Sequence, residues 1–441
     1  MQVTVVGTGY VGLVQGVCLA ELGHSVTCVD IDPVKIERLS RGISPIYEPG
    51  IEDLIHANVE AGRLSFATPE NGWAPLLSEV VFVAVGTPMA ENGAADLSYV
   101  RSAVGSIADA ATSEMTLVMK STVPPGTGAT LLARFLAHAS ATIGYVSNPE
   151  FLREGTAIRD FFEPDRIVLG GSSPADIERV AAVYQPLVDR CVASGLECPI
   201  VKTDVASAET IKYASNAFLS TKISFINEIA NVCDCVGADV DAVAEGMGLD
   251  VRIGRHFLGA GIGYGGSCFP KDTRALDFIS TLNGYQFDLL KAVIDVNNRQ
   301  RLLPVIHLAK ALPDLHERTV AVLGLAFKPH TDDVRESPAI DIVPLFLEEG
   351  ARVRCYDPLA APLDLGEAVR CDTVWEALEG ASAAILVTEW PELVDLDWAR
   401  VRSVMADPAI IFDGRNALDG AAVTAAGCTY MAVGRPGAHR G

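Results

Sequence analysis

The chain has 441 residues, about three times the ~150 of a common single domain, so it has room for two or three separate cores. Apolar residues make up 49% and charged residues 20%, a globular balance that excludes disordered and fibrous classes. With 34 Lys and Arg against 56 Asp and Glu, the formal charge is −22. That excludes a general nucleic-acid binder, whose affinity rests on clustered cations, but a phosphate-bearing small molecule needs only a few local cations or a helix N-terminus.

The N-terminal MQVTVVGTGYVG lacks the basic region and sustained apolar run of a signal peptide. No stretch approaches the ~20 consecutive apolar residues that span a bilayer. A cytoplasmic protein with no membrane partner is expected. The ten cysteines contain no CxxC pair and no zinc spacing, so no metal is expected. Reduced thiols buried as small hydrophobes describe nine of them, Cys268 being set apart.

Residues 2–6 form a β-branched run that stops at Gly7. Gly7, Gly9 and Gly12 complete a GxGxxG turn, and a helical pattern and a second strand, SVTCVD, follow, ending at Asp30. Strand, glycine turn, helix, strand and acid within about thirty residues is the context that the dinucleotide fingerprint requires. The glycines let the backbone approach a pyrophosphate at the helix N-terminus. Asp30 suits the ribose hydroxyls and repels a 2′-phosphate, which favours NAD over NADP. Further strands at 79–88 and 115–126 end in Gly-, Pro- and Thr-rich turns, where a doubly wound sheet places its ligands. ATIGYVSNPEF then runs into a loop bearing Glu150 and Glu154, and RIVLGG closes this domain near residue 200.

Residues 205–237 hold no Pro, and no Gly before Gly237, and they keep helical apolar spacing. A helix of about thirty residues is ~45 Å long, too long for one small domain, and is expected to bridge two lobes and carry a dimer interface. Helical spacing resumes at 239–247 and 272–312. The last third repeats the opening: strand TVAVLG, a long turn with Lys328 and Arg335, helix AIDIVPLFLEEG, and strand RVRCYD ending at Asp357. Only Gly324 survives of the glycine pattern, so a second doubly wound domain that binds phosphates through side chains fits better than a second NAD site. The fold class is therefore α/β, with two doubly wound Rossmann-like domains (1–200 and 313–441) joined by a long central helix and a helical middle domain (201–312). The final AVGRPGAHRG is expected to be a loose tail.

The segment 259–272, GAGIGYGGSCFPKD, places five glycines in its first eight residues, a loop whose backbone can wrap a ligand. Cys268 ends that loop beside Lys271. A helix starting near Pro270 lowers a thiol pKa through its dipole, as does the lysine, which is the setting of a nucleophile; a buried structural thiol is the alternative. Lys212 and Asn216 lie one helical turn apart, either on a solvated face or as inward groups able to stabilise an alkoxide. Glu150 and Glu154 read either as surface carboxylates or as acid/base groups, and Asp272 either caps a helix or orients a water. NAD alone oxidises an alcohol to a carbonyl, whereas taking an aldehyde to an acid needs a nucleophile such as Cys; the combination points to both steps in one site.

The segments VGTGYVGL, VAVGTP, STVPPGT, NPEFLREGTAIRDF, KYASNAFLSTKISFINEIA, GIGYGGSCFPKD, LGLAFKPHTDDVRESPA and FDGRN, in this order, resemble the UDP-glucose 6-dehydrogenases of the UDP-glucose/GDP-mannose dehydrogenase family over essentially the whole chain. The chain is also similar to GDP-mannose and UDP-N-acetyl-mannosamine dehydrogenases, but NPEFLREGTAIRDF and GIGYGGSCFPKD look more like the UDP-glucose branch. The resemblance implies four-electron oxidation of the C6 alcohol of UDP-glucose to UDP-glucuronate with two NAD. It implies Cys268 as the nucleophile, Lys212 and Asn216 as oxyanion stabilisers supported by Asp272, and Thr122, Glu150 and Glu154 as the proton- and water-handling cluster. For NAD it implies Gly7, Gly9, Val11, Gly12, Asp30, Lys35, Thr87, Thr122, Glu154, Lys271 and Arg335. For the UDP-sugar it implies Phe151, Leu152, Arg153, Glu154, Lys212, Asn216, the 259–265 loop with Gly259, Tyr264 and Gly265, then Phe327, Lys328 and Arg415. Arg252 resembles an arginine that enters the neighbouring subunit's site, which implies a homodimer or higher homo-oligomer. Rival readings are the same chemistry on GDP-mannose or UDP-N-acetyl-mannosamine, a two-electron hydroxyacid-type dehydrogenase that leaves Cys268 and the last domain without purpose, and a binding protein with a relic site, which predicts a lost Cys or Lys.

Overall fold

A computed structural model describes residues 1–435 of the chain, and it divides into two compact units, Met1–Ser215 and the remainder from Asn216. The first unit is built on an eight-stranded sheet: β1 (Gln2–Val6), β2 (Ser25–Val29), β3 (Leu64–Ala67), β4 (Val80–Val83), β5 (Met115–Met119), β6 (Ile143–Ser147), β7 (Ile167–Gly171) and β8 (Ile200–Thr203). Their order is β3-β2-β1-β4-β5-β6-β7-β8. β1 to β6 run parallel, while β7 pairs antiparallel with β6 and parallel with β8. Both faces of the central strands are covered, so β4 (VVFV) and β5 (MTLVM) are buried at every position rather than at alternate ones. Chain order reverses between β1 and β4, the switch point beside which a doubly wound sheet collects its ligand.

The second unit carries a six-stranded parallel sheet ordered β11-β10-β9-β12-β13-β14. Its strands are β9 (Thr319–Leu323), β10 (Arg352–Tyr356), β11 (Val369–Arg370), β12 (Ala381–Leu386), β13 (Ile410–Asp413) and β14 (Thr429–Ala432). Helices Phe269–Leu282, Asp288–Gln300 and Leu303–Ala311 precede this sheet, and helix Pro338–Glu348 follows β9. The long helix spans Val205–Val236, and the boundary between the units falls inside it, after Ser215. It stops where the first glycine arrives: Gly237 takes φ +74, a conformation that ends a helix cheaply only without a Cβ.

Two sequence expectations need correction. Ala432 and Val433 are buried, and the Arg435 guanidinium donates to Asp241 (2.8 Å) and to the Asn416 carbonyl (2.5 Å), so residues 432–435 are held rather than loose. The remaining residues of that segment, 436–441, lie outside the described residues. Of the nine cysteines read as buried thiols, eight are buried but Cys235 is exposed, near the end of the long helix. Among the described residues no helix is long and apolar enough to cross a membrane, and no cluster of His, Cys, Asp and Glu could hold a metal ion.

Candidate active site

In the first unit, β1 ends at the glycine turn and the helix Tyr10–Glu21 starts directly after Gly9. A Cβ on Gly12 would lie 1.9 Å from the Gly7 carbonyl oxygen, so helix and turn approach as closely as they do only because that side chain is missing. At Gly9 a Cβ would meet nothing within 4 Å, leaving the mouth of the turn open to a ligand. Val11 lies half-buried in the first turn of this helix. The Asp30 carboxylate, at the end of β2, accepts from the Thr8 amide (2.8 Å), the Thr8 hydroxyl (2.7 Å), the Asp32 amide (3.1 Å) and the Lys35 ammonium (3.0 Å). Burial opposes its ionisation, but the Thr8 and Lys35 bonds prevail and hold its pKa below the ordinary value. Asp32 caps the helix Pro33–Ser40 that carries Lys35, which fixes the lysine over Asp30. Thr87 and Thr122 sit half-buried in the loops just beyond β4 and β5. A turn open at Gly9, backed by an anionic acceptor at the neighbouring strand end, suits a dinucleotide with free ribose hydroxyls.

Beyond β6, the 150–155 loop brings the predicted carboxylates to the same unit. Glu150 and Lys212 form a fully buried pair (2.8 Å), and the second Glu150 oxygen accepts from the Leu152 amide (2.6 Å). Desolvation raises the Glu150 pKa, but the Lys212 charge and hydrogen bond outweigh it and hold the carboxyl below its ordinary range. Lys212 also stands 5.3 Å above the Phe151 ring, which Arg166 covers at 3.7 Å. Arg153 is exposed and paired with Asp160, and Leu152 and Glu154 are half-buried.

In the second unit, Cys268 is the N-cap of the helix Phe269–Leu282 and is half-buried. One turn on, the buried Asp272 carboxylate accepts from Asn216 (2.6 Å) and from Lys271 (2.5 Å). Cys268, Asn216, Lys271 and Asp272 are thus gathered at one helix start. The glycine loop before Cys268 is docked through its backbone: Arg415 donates to the carbonyls of Gly263 (3.0 Å) and Phe327 (3.2 Å), and the Gly266 amide donates to the Arg335 carbonyl (2.9 Å). Tyr264 is buried against Phe269, Gly259 is exposed and Gly265 buried. Arg335 is exposed and paired with Asp333, while Lys328 is half-buried, 5.5 Å from the Phe327 ring centroid. Arg252 is exposed and paired with Asp250 (2.6 Å).

Several residues that hold these groups were not singled out from the sequence. Glu48 is buried; it accepts from the Tyr10 hydroxyl and from the amides of Gly155 (2.8 Å) and Ile158 (3.2 Å), tying the glycine turn to the 150–155 loop. Lys120 is buried against Asn148 (3.1 Å) and Tyr184 (3.3 Å), its pKa pushed down to about 8 by desolvation although Glu150 opposes the shift. Asn297 brackets Tyr264, accepting from its amide (2.8 Å) and donating to its carbonyl (3.1 Å), and Arg301 donates to the same carbonyl (2.7 Å). A lysine ending the apolar run MTLVMK was a legible signal; the Gly155 and Ile158 partners of Glu48 lie over a hundred residues away and left none.

A dinucleotide turn with an acidic ribose acceptor, and a second doubly wound unit with a thiol at a helix start, define an NAD-dependent oxidoreductase. Family models described as the NAD binding, central and UDP binding domains of the UDP-glucose/GDP-mannose dehydrogenase family match residues 1–188, 206–299 and 321–420. The chain belongs to that family. It is 47% identical to the UDP-glucose 6-dehydrogenase TuaD of Bacillus subtilis over 99% of this chain and 93% of that protein. Among solved structures, a UDP-glucose dehydrogenase from Pyrobaculum islandicum matches with a TM-score of 0.87 at 40% identity, covering 96% of this chain and 95% of that one. A UDP-D-ManNAc dehydrogenase from Pyrococcus horikoshii also reaches 0.87, at 27% identity, covering 99% and 100%.

Proposed function

We propose that the protein oxidises the C6 alcohol of UDP-glucose to UDP-glucuronate in two successive NAD-dependent steps, with Cys268 as the nucleophile of the second. The observation that carries the thiol's role is its position: half-buried at a helix start, beside a buried Asp272 that Asn216 and Lys271 already engage. The choice of UDP-glucose over UDP-N-acetyl-mannosamine is supported by identity rather than by fold, since both solved relatives match equally in TM-score but at 40% and 27% identity.

Gly7, Gly9, Val11, Gly12, Asp30, Lys35, Thr87, Thr122, Glu154, Lys271 and Arg335 would hold NAD. When bound, NAD accepts a hydride from the sugar carbon at each of the two oxidations. The residues of the chain do the rest. The C6 hydroxyl gives up its proton to the Thr122, Glu150 and Glu154 cluster, and Lys212 and Asn216, one turn apart on one helix, donate to its oxygen as it gains negative charge. The Cys268 thiolate adds to the aldehyde carbon, forming a C–S bond and a thiohemiacetal; loss of hydride from that carbon leaves a thioester. Water, handled by Thr122, Glu150 and Glu154 with Asp272 in support, attacks the thioester. The C–S bond breaks, the carboxylate leaves, and the thiolate is restored. Phe151 to Glu154, Gly259, Tyr264, Gly265, Phe327, Lys328 and Arg415 hold the UDP-sugar. Residues 1–200, 201–312 and 313–441 serve as NAD, central and UDP-sugar domains. The protein works in the cytoplasm as a homodimer or larger homo-oligomer, Arg252 serving the neighbouring subunit.

Purified protein given UDP-glucose, UDP-galactose, UDP-N-acetylglucosamine or GDP-mannose, and followed by NADH absorbance, tests the substrate. UDP-glucose is expected to be turned over fastest; preference for another sugar would overturn the choice.

A further inference from the structure

The long helix meets the loop after β5 through one buried carboxylate with no place in the mechanism above. Glu209 is 2% exposed. One of its oxygens accepts from the Gly126 amide and the other from the Gly128 amide, each at 2.7 Å, at the start of the helix Thr127–Arg134. The approach is close: a Cβ on Gly128 would fall 2.9 Å from the carboxylate oxygen and 2.6 Å from the Tyr145 ring. The loop so gripped, residues 121–126, contains Thr122, and Lys212 follows Glu209 by three residues on the same helix.

We propose that Glu209 is a positioning residue for the oxidation, its carboxylate locking the Thr122 loop onto the helix that presents Lys212 and so fixing these two side chains relative to each other. The proposal rests on the assignment of Thr122 and Lys212 to the reaction. A carboxylate is suited to the task because both oxygens accept and both partners donate. Its isosteric amide turns an N–H against one of those N–H groups, and protonation does the same with an O–H, so either change releases one anchor.

The titration of this anchor lies within reach of experiment. Burial pushes the Glu209 pKa up to about 7 against the lowering effect of the backbone amides. Two titratable groups face it among the described residues. One is the Tyr145 phenol from β6, raised by burial and by the Glu209 charge. The other is Asp204, ahead of the long helix, whose carboxyl is held low by Ser207. The adjoining cleft of about 270 Å³ is otherwise lined by uncharged residues, among them Gly126, Leu132 and Ser172.

The test is the ratio of wild-type kcat to that of Glu209→Gln with UDP-glucose and NAD, between about pH 5.5 and 8.5. The ratio is expected to rise from near one to about tenfold as pH passes through the Glu209 pKa, with KM changing less than kcat. Groups titrating identically in both proteins cancel. Tm of Glu209→Gln at the upper pH is expected to equal or exceed that of wild type, because a buried charge is removed. A pH-independent ratio, or wild-type turnover at the upper pH, overturns the proposal, as does a kcat loss matched by a loss of Tm. Should Glu209→Gln not fold, Glu209→Asp serves: it keeps a titrating carboxylate with shorter reach, and wild-type kcat at every pH overturns the proposal equally. Thr122→Ala in the same assay separates the two levels. If it is unimpaired, the assignment of Thr122 fails; if it is impaired while Glu209→Gln is not, only the positioning role fails.

Discussion

Asp30→Ala isolates the cofactor side of the site. The wild-type carboxylate is already oriented by four hydrogen bonds, from Thr8 (two), Asp32 and Lys35, so it meets the ribose without reorganisation. Hydrogen bonds to a charged acceptor contribute about 1.5–3 kcal/mol each, and one carboxylate serves the two ribose hydroxyls. Allowing for the Thr8 and Lys35 donors turning to water or ligand, a net loss of about 2–3 kcal/mol is expected, or roughly 30- to 150-fold in the Michaelis constant for NAD. The sugar is held by other residues, so its Michaelis constant should change less than about threefold. Removing the anion also removes repulsion of a 2′-phosphate, so the preference for NAD over NADP should shrink in parallel. Initial rates with each substrate varied at saturating levels of the other measure both. An equal rise in the two constants would refute the ribose role.

Three further outcomes follow from the same geometry. Cys268→Ser should keep UDP-glucose binding and stall the overall oxidation, through weak addition to the aldehyde or a poorly hydrolysed ester; wild-type turnover would remove the thiol from the mechanism. Glu150→Gln leaves the buried Lys212 ammonium with only an amide acceptor and should cost about 3 kcal/mol of stability. The Glu150 pKa is depressed in the fold, so that contribution is present above the ordinary carboxylate pKa and lost as pH falls through the lower, folded value. The stability gap between variant and wild type should therefore hold constant from neutral pH down to about 5 and close only in stronger acid; a gap that closes near neutrality would contradict the pairing. Lys120→Met should stabilise the protein by about 2 kcal/mol at pH 7, because a folded pKa of about 8 against 10.5 unfolded means that the unfolded chain binds more protons between these values. Wild-type stability should rise with pH across that window and the variant's should not; parallel profiles would show that Lys120 is not desolvated as described.

Much of the framework was legible because it is encoded locally. The βαβ opening needs only a glycine turn and an acid at fixed spacing, and the long helix was readable at 205–237 because its first glycine is its terminator; the observed span is 205–236. The Cys268 setting was readable for the same reason, since helix start, Pro270 and Lys271 are all neighbours in sequence. The grips on the site were not legible. Glu48 reaches Gly155, and Glu209 reaches Gly126, across 107 and 83 residues, and no periodicity carries that information. Nor could the reversal of β7 against β6 be read from RIVLGG, because direction depends on which neighbours the strand meets. Exposed Cys235 shows the limit of composition: a thiol's usual burial says nothing about one facing outward on a helix.

The most direct measurement counts reduced cofactor against consumed sugar. With limiting UDP-glucose, excess NAD and purified protein, two NADH should form per sugar, with UDP-glucuronate as the released product. One NADH per sugar with release of the aldehyde would mean that the thiol takes no part and that the enzyme stops after the first oxidation.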